Sequence, residues 1–185
     1  MQEAGEKIIL GIDPGTNMMG YGVIRISGKN PAFRDMGVID LKKNTDPYLK
    51  LRKILECTLD LIDQYLPDEV AIEAPFYGKN VQSMLKLGRA QGVAIAAVLS
   101  RDIPVSEYAP RKIKLAITGA GNASKEQVAG MLSRIFNLKK IPENLDATDG
   151  LAVAVCHFYQ KGKPLKNPGP KSWEDFLRKN PGRVK

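Results

Sequence analysis

Ile8-Ile9-Leu10-Gly11-Ile12-Asp13-Pro14-Gly15-Thr16 decides how the rest of this chain is read. Five residues, four of them large and branched, run without interruption into an acid and a Pro-Gly pair, which predicts a buried strand meeting a turn. A carboxylate at the end of such a strand stands at the rim of a sheet. Downstream, residues 20–26 and 33–41 alternate more weakly around Ser27-Gly28-Lys29-Asn30, which predicts a three-stranded antiparallel meander. Asp46-Pro47 caps and opens a helix with apolar positions at Leu51, Ile54, Leu55, Ile62 and Tyr65, and Pro67 stops it. Glu69-Val70-Ala71-Ile72-Glu73 repeats the first pattern, a short apolar strand closed by an acid and a proline.

Residues 80–101 predict a long helix rich in small side chains: Gly88, Ala90, Gly92, Ala94, Ala96 and Ala97. A strand over 103–108 and a short helix over 110–118 follow, ended by Gly119. Ser124 with Gln127 forms a capping box for a helix to Asn137, and residues 146–159 form the last helix. A meander followed by alternating helices and strands predicts an α/β fold, a mixed five-stranded sheet flanked by helices. Residues 1–160 make one domain, and 161–185, rich in Lys, Pro and Gly, make a basic C-terminal tail with Trp173, Phe176 and Leu177 in a short amphipathic piece.

The chain has 185 residues and a formal net charge of +8. Residues 1–75 carry net −3, residues 76–140 net +8, residues 141–160 net −3 and residues 161–185 net +6. Basic blocks of this size suit a polyanionic partner, because each neutralised phosphate releases condensed counterions; a solvated lysine surface is the alternative. The apolar runs are too short to span a membrane, and Met1 to Lys7, with Glu3, Glu6 and Lys7, is no signal peptide. Cys57 and Cys156 lie in apolar periodic segments, so buried reduced thiols and a cytoplasmic location are expected.

Four carboxylates stand out, none with a basic neighbour beside it in sequence. Asp13 and Glu73 end strands, and Asp146 and Asp149, spaced i, i+3, share one helix face. Taken alone, Asp13-Pro14-Gly15 reads equally well as a turn, and Asp146 with Asp149 as a helix N-cap and a third-position acid favoured by the dipole. Together on one rim they would repel unless a cation sat among them. Mg²⁺ suits such a site, and two ions roughly 4 Å apart can activate water and stabilise the leaving oxygen of a phosphodiester. His157, the single histidine, is a core or surface residue, and no covalent protein nucleophile is indicated.

Gly11-Ile-Asp-Pro-Gly-Thr16, Gly20-Tyr-Gly-Val-Ile24, Ala71-Ile-Glu73 with Phe76 and Lys79-Asn80, Leu85-Lys-Leu-Gly88 with Gly92-Val-Ala-Ile95, and Asp146-Ala-Thr-Asp149 together resemble the RuvC family of Holliday-junction resolvases, across residues 7–160 and in unbroken order. The resemblance implies a ribonuclease H-like fold, a homodimer joined through the helix of residues 80–101, and Mg²⁺-dependent symmetric paired nicks in four-way DNA junctions during recombination and repair. It implies two Mg²⁺ ions per site, with Mn²⁺ as a substitute, held by the catalytic acids Asp13, Glu73, Asp146 and Asp149. By motif position Lys114 and Lys125 would hold DNA, and Phe76 would stand near the junction; Lys79, Lys86, Arg89 and Arg111 are DNA-contact candidates from charge and position. The branch-migration proteins RuvA and RuvB are implied as partners. Against this stand an actin- or hexokinase-like ATPase, a non-catalytic junction-binding scaffold, and a distant resolvase family of the same fold. The missing second Asp-x-Gly phosphate loop, the intact acids and the long match over 85–95 weigh against them in turn.

Overall fold

The computed structural model describes residues 6–28, 30–76, 80–140 and 142–161. Strands β1 (Lys7–Asp13), β2 (Met18–Ser27) and β3 (Asn30–Asp40) form the antiparallel meander. Helix α1 (Pro47–Tyr65) leads into β4 (Glu69–Glu73), and α2 (Val81–Leu99) leads into β5 (Val105–Tyr108). β4 pairs parallel with both β1 and β5, so the five-stranded sheet has the order β3-β2-β1-β4-β5. Helices α3 (Pro110–Thr118), α4 (Lys125–Phe136) and α5 (Asp146–Lys161) complete the chain.

Residue alternation along β1 sorts the two faces of the sheet. Leu10 and Ile12 point into a cluster with Ile54, Leu61 and Ile62 of α1 and Ala90, Ala94 and Val98 of α2. Ile9 points the other way, into a cluster with Ile113 of α3, Leu132 of α4 and Leu151 and Val155 of α5. Each fully buried branched side chain contributes about 1.5–3 kcal/mol of transfer free energy. Cys57 belongs to the first cluster and Cys156 to the second, so the sheet separates two buried free thiols.

The local signals act as their chemistry requires. Asp46 accepts from the backbone N–H groups of Tyr48 and Leu49, and Pro47 opens α1. Ser124 and Gln127 make the reciprocal capping box of α4. β5 starts at Val105, two residues later than the sequence suggests, because Pro104 has no N–H to offer the ladder; its carbonyl accepts from Val70 instead. Asp146 is not an N-cap: it is the first residue of α5, and its backbone N–H donates to the Asn144 side chain at 3.0 Å. Its carboxylate is thereby left for other work. The amphipathic piece around Trp173 lies outside the described residues.

One device places α5. Gly11 on β1 and Gly20 on β2 face it across the sheet. A Cβ at Gly11 would lie 2.2 Å from the Gly150 carbonyl oxygen, and one at Gly20 would lie 2.0 Å from the Asp146 carbonyl oxygen. Helix backbone therefore rests directly on strand backbone, a contact no side chain would permit.

Candidate active site

Parallel pairing of β1 with β4 brings the ends of both strands to one rim of the sheet. Asp13 closes the first and Glu73 the second. Seating α5 on the glycines brings its first turn to the same rim. Asp13, Glu73 and Asp149 line one cavity of about 250 Å³ with Phe76, Lys114 and Lys125; its apolar wall is Pro110, Ile113, Val128 and Ala152. Asp146 stands beside it. The Lys125 ammonium donates to Asp146 Oδ1 at 2.9 Å and to Asp149 Oδ2 at 2.5 Å. The acids thus have a basic partner that their sequence neighbourhood hides.

Burial and mutual repulsion set the proton affinities. Burial first, then the Asp149 charge, raises Asp13 to about 6, and Lys125 opposes this. Glu73 rises to about 8, from burial first and then the Asp13 and Asp149 charges, against Lys125 and Lys114. Asp149 is also raised, chiefly by burial, with Lys125 pulling it back. Burial works against the Lys125 charge, but its bonds to Asp149 and Asp146 prevail and raise its pKa. Such packing of carboxylates in a half-enclosed cavity marks a site that wants positive charge. Oxygen donors of this kind match a hard divalent cation. Among the described residues, no three His, Cys, Asp or Glu side chains are drawn tightly enough around one point to hold an ion as they stand.

The basic candidates separate in space. Lys114 and Lys125 border the acid cavity, and Phe76 stands at its edge, 70% exposed. Lys86 and Arg89 instead line a second cavity of about 370 Å³ between α1, α2 and the loop after β1. The Arg111 side chain packs over Gly121, and it is not among the residues lining the acid cavity. Lys79 lies outside the described residues.

Three supporting residues escape sequence reading. Lys50 donates to the Thr16 carbonyl at 2.9 Å and to Asn17 Oδ1 at 3.1 Å, tying down the loop that follows Asp13. Gln91, buried on α2, donates to Glu107 at 2.7 Å and reaches the Glu73 carbonyl at 3.5 Å. Glu69, at the other end of β4 from Glu73, bonds His157 at 2.7 Å, and His157 bonds the Tyr108 hydroxyl at 2.8 Å. His157 is therefore a core residue. Nothing in the local sequence marks these pairs, which are 16–88 residues apart.

The sheet order and its helical layers define a ribonuclease H-like fold. The yeast mitochondrial Holliday junction resolvase Ydc2 shares the fold, with a TM-score of 0.60 at 13% identity, over 81% of this chain and 78% of that one. The family model for crossover junction endodeoxyribonuclease RuvC matches residues 9–157. The Bacteroides fragilis protein of that description is 64% identical over the whole of both chains. The structure of Thermus thermophilus RuvC in complex with Holliday junction substrate superposes with a TM-score of 0.76 at 29% identity, covering 84% of this chain and 95% of that one. The chain belongs to the RuvC family of crossover junction endodeoxyribonucleases, nucleases of DNA recombination and repair.

Proposed function

We propose that this chain cuts four-way DNA junctions by Mg²⁺-dependent phosphodiester hydrolysis, with Asp13, Glu73, Asp146 and Asp149 holding the metal. The observation that carries this reading is the meeting of strand-end acids from β1 and β4 with the first turn of α5 in one cavity edged by Lys114 and Lys125. The bound metal supplies a lowered water pKa and charge stabilisation at the scissile phosphate. The chain's own residues do the rest. Asp13, half-buried and facing the charges of Asp149 and Asp146, would serve as the central ligand; Glu73 would orient the attacking water; Asp146 and Asp149 would close the site from α5. Lys114 and Lys125 face the developing negative charge, and the apolar wall of Ile113, Val128 and Ala152 keeps bulk water from the back of the cavity. Phe76, exposed at the rim, presents a ring face to an unpaired base. Lys86, Arg89 and Arg111 contact the DNA backbone away from the cut. The nuclease domain spans 1–160, and the basic tail of 161–185 adds charge for the same polyanion.

A junction offers two equivalent strands, and a two-fold dimer presents one site to each. Support for a homodimer comes from α2. Val81, Leu85 and Leu99 are exposed along it, and space is open where a Cβ on Gly88 or Gly92 would point. That stripe is where a second copy would pack, leaving paired symmetric nicks as the product. Family membership supports engagement with the branch-migration proteins RuvA and RuvB in the cytoplasm.

The test is a nicking assay on a synthetic mobile junction in Mg²⁺, with the cuts mapped. The wild type should make paired nicks at symmetric positions. Asp13→Asn should abolish them while retaining junction binding, because it removes a metal ligand and no phosphate contact. Full-rate cleavage by Asp13→Asn would rule the mechanism out.

A further inference from the structure

The acid cavity already contains a positive charge supplied by the chain itself. Lys125 is the first residue of α4, and its ammonium lies between two carboxylates one turn apart on α5, at 2.9 Å and 2.5 Å from their oxygens. Those oxygens are half of the proposed metal ligand set. An ammonium and a hard divalent cation seek the same lone pairs, so one excludes the other from them. The side chain is free to leave. It is half exposed, and α4 keeps its N-terminus without it, because Ser124 and Gln127 make the cap. Lys125 lines the same cavity as Lys114 and Phe76, where the reading above places the DNA.

We propose that Lys125 is a displaceable internal counter-ion, which occupies Asp146 and Asp149 in the metal-free protein and is released toward the DNA phosphate when a divalent cation loads. The inference rests on the metal-site reading given above. It makes the lysine a positioning residue with two stations. Before loading it offsets the repulsion of the α5 acids and holds the α4–α5 corner together. After loading it is a cation without a carboxylate partner beside a phosphodiester. Metal affinity is lower than the bare carboxylates would give, because each binding event must first expel the ammonium. The Lys125 charge then turns from the α5 acids to the cavity mouth only once the site holds metal, which adds a phosphate contact at the scissile group when the site is ready to cut and leaves the wider junction contacts unchanged.

The experiment is calorimetric titration of Mg²⁺ into the full chain without DNA, at pH 8.5, above the values of Asp13 and Glu73, so that proton competition does not mask the effect. Wild type, Lys125→Met and Asp13→Asn are compared. Lys125→Met should bind Mg²⁺ about tenfold tighter than wild type. Equal or weaker binding by Lys125→Met, with wild-type binding abolished by Asp13→Asn, overturns the counter-ion role and leaves the metal site standing. Absence of Mg²⁺ binding in both wild type and Lys125→Met overturns both. A second reading uses protein labelled with ¹⁵N in its lysine side chains. One slowly exchanging ammonium signal, missing from Lys125→Met, should be present in EDTA and vanish at saturating Mg²⁺; its persistence overturns the proposal. Thermal melts in EDTA establish that the variant is folded.

Discussion

Gly20 on β2 lies directly beneath Asp146 on α5, so closely that an added methyl group would sit 2.0 Å from the Asp146 carbonyl oxygen. Backbone there cannot yield as a flexible side chain would. Gly20→Ala should therefore lift the first turn of α5 off the sheet, at a cost of about 1–3 kcal/mol, the range for overpacking a tight core. The same displacement carries Asp146 and Asp149 away from Asp13. Thermal melts should show the lost stability, and junction nicking should fall further than the folded fraction accounts for. A variant with wild-type melting and nicking would show that the helix does not need this seat.

Asp13 at about 6 and Glu73 at about 8 bind protons more tightly in the folded chain than in the unfolded one. For groups with raised pKa the folded state carries the extra protons, so their contribution to stability falls as pH rises from the ordinary carboxylate range through those values. In EDTA the melting temperature should drop between pH 5 and pH 8.5. Asp13→Asn combined with Glu73→Gln should flatten that slope. Mg²⁺ should recover the loss at pH 8.5 and do little at pH 5, because metal binds the ionised acids. Identical slopes in wild type and the double variant would place the pH dependence elsewhere.

Phe76 is exposed and buries little of itself in the folded chain. Phe76→Ala should leave melting and Mg²⁺ affinity unchanged while weakening junction affinity by about 1–3 kcal/mol, the worth of one base-stacking contact. Gel shift on a four-way junction against a linear duplex measures it, and an equal loss on both substrates would argue against stacking at the junction.

His157 connects the Tyr108 hydroxyl with the buried carboxylate of Glu69, which Lys7 also contacts. Replacing the imidazole by leucine removes a bond from each neighbour. His157→Leu should cost about 1–3 kcal/mol by chemical denaturation. The nicking rate of the folded fraction should stay as it was, because the imidazole does not line the acid cavity. A collapse in nicking with stability intact would give the buried chain a role in the reaction.

Much of this architecture is legible in one dimension. The apolar run of β1, the capping box of α4 and the i, i+3 acids of α5 each declare themselves through local chemistry, and family resemblance joins them. Long-range polar pairing stays hidden. Motif position marks Lys125 as a DNA contact, but nothing local pairs it with the acids; only the packing of α4 on α5 brings it within bonding distance of Asp146 and Asp149, 21 and 24 residues further along the chain. Glu69 carries no local sign that it is buried, and its buried partner His157 stands 88 residues further on. Asp146 passes for a cap until Asn144 is seen accepting its backbone N–H. Side-chain charge in local sequence carries no record of which distant element will answer it.

α5 enters the fold as the last described element, seated on backbone from β1 and β2 and carrying two of the four acids. A nascent chain still lacking residues 146–161 can pair its strands and bury one side of its sheet, but it has only Asp13 and Glu73 at the rim. On the proposed metal-site reading, the rim gains its full set of oxygen donors only after α5 has been synthesised and has docked on those two strands.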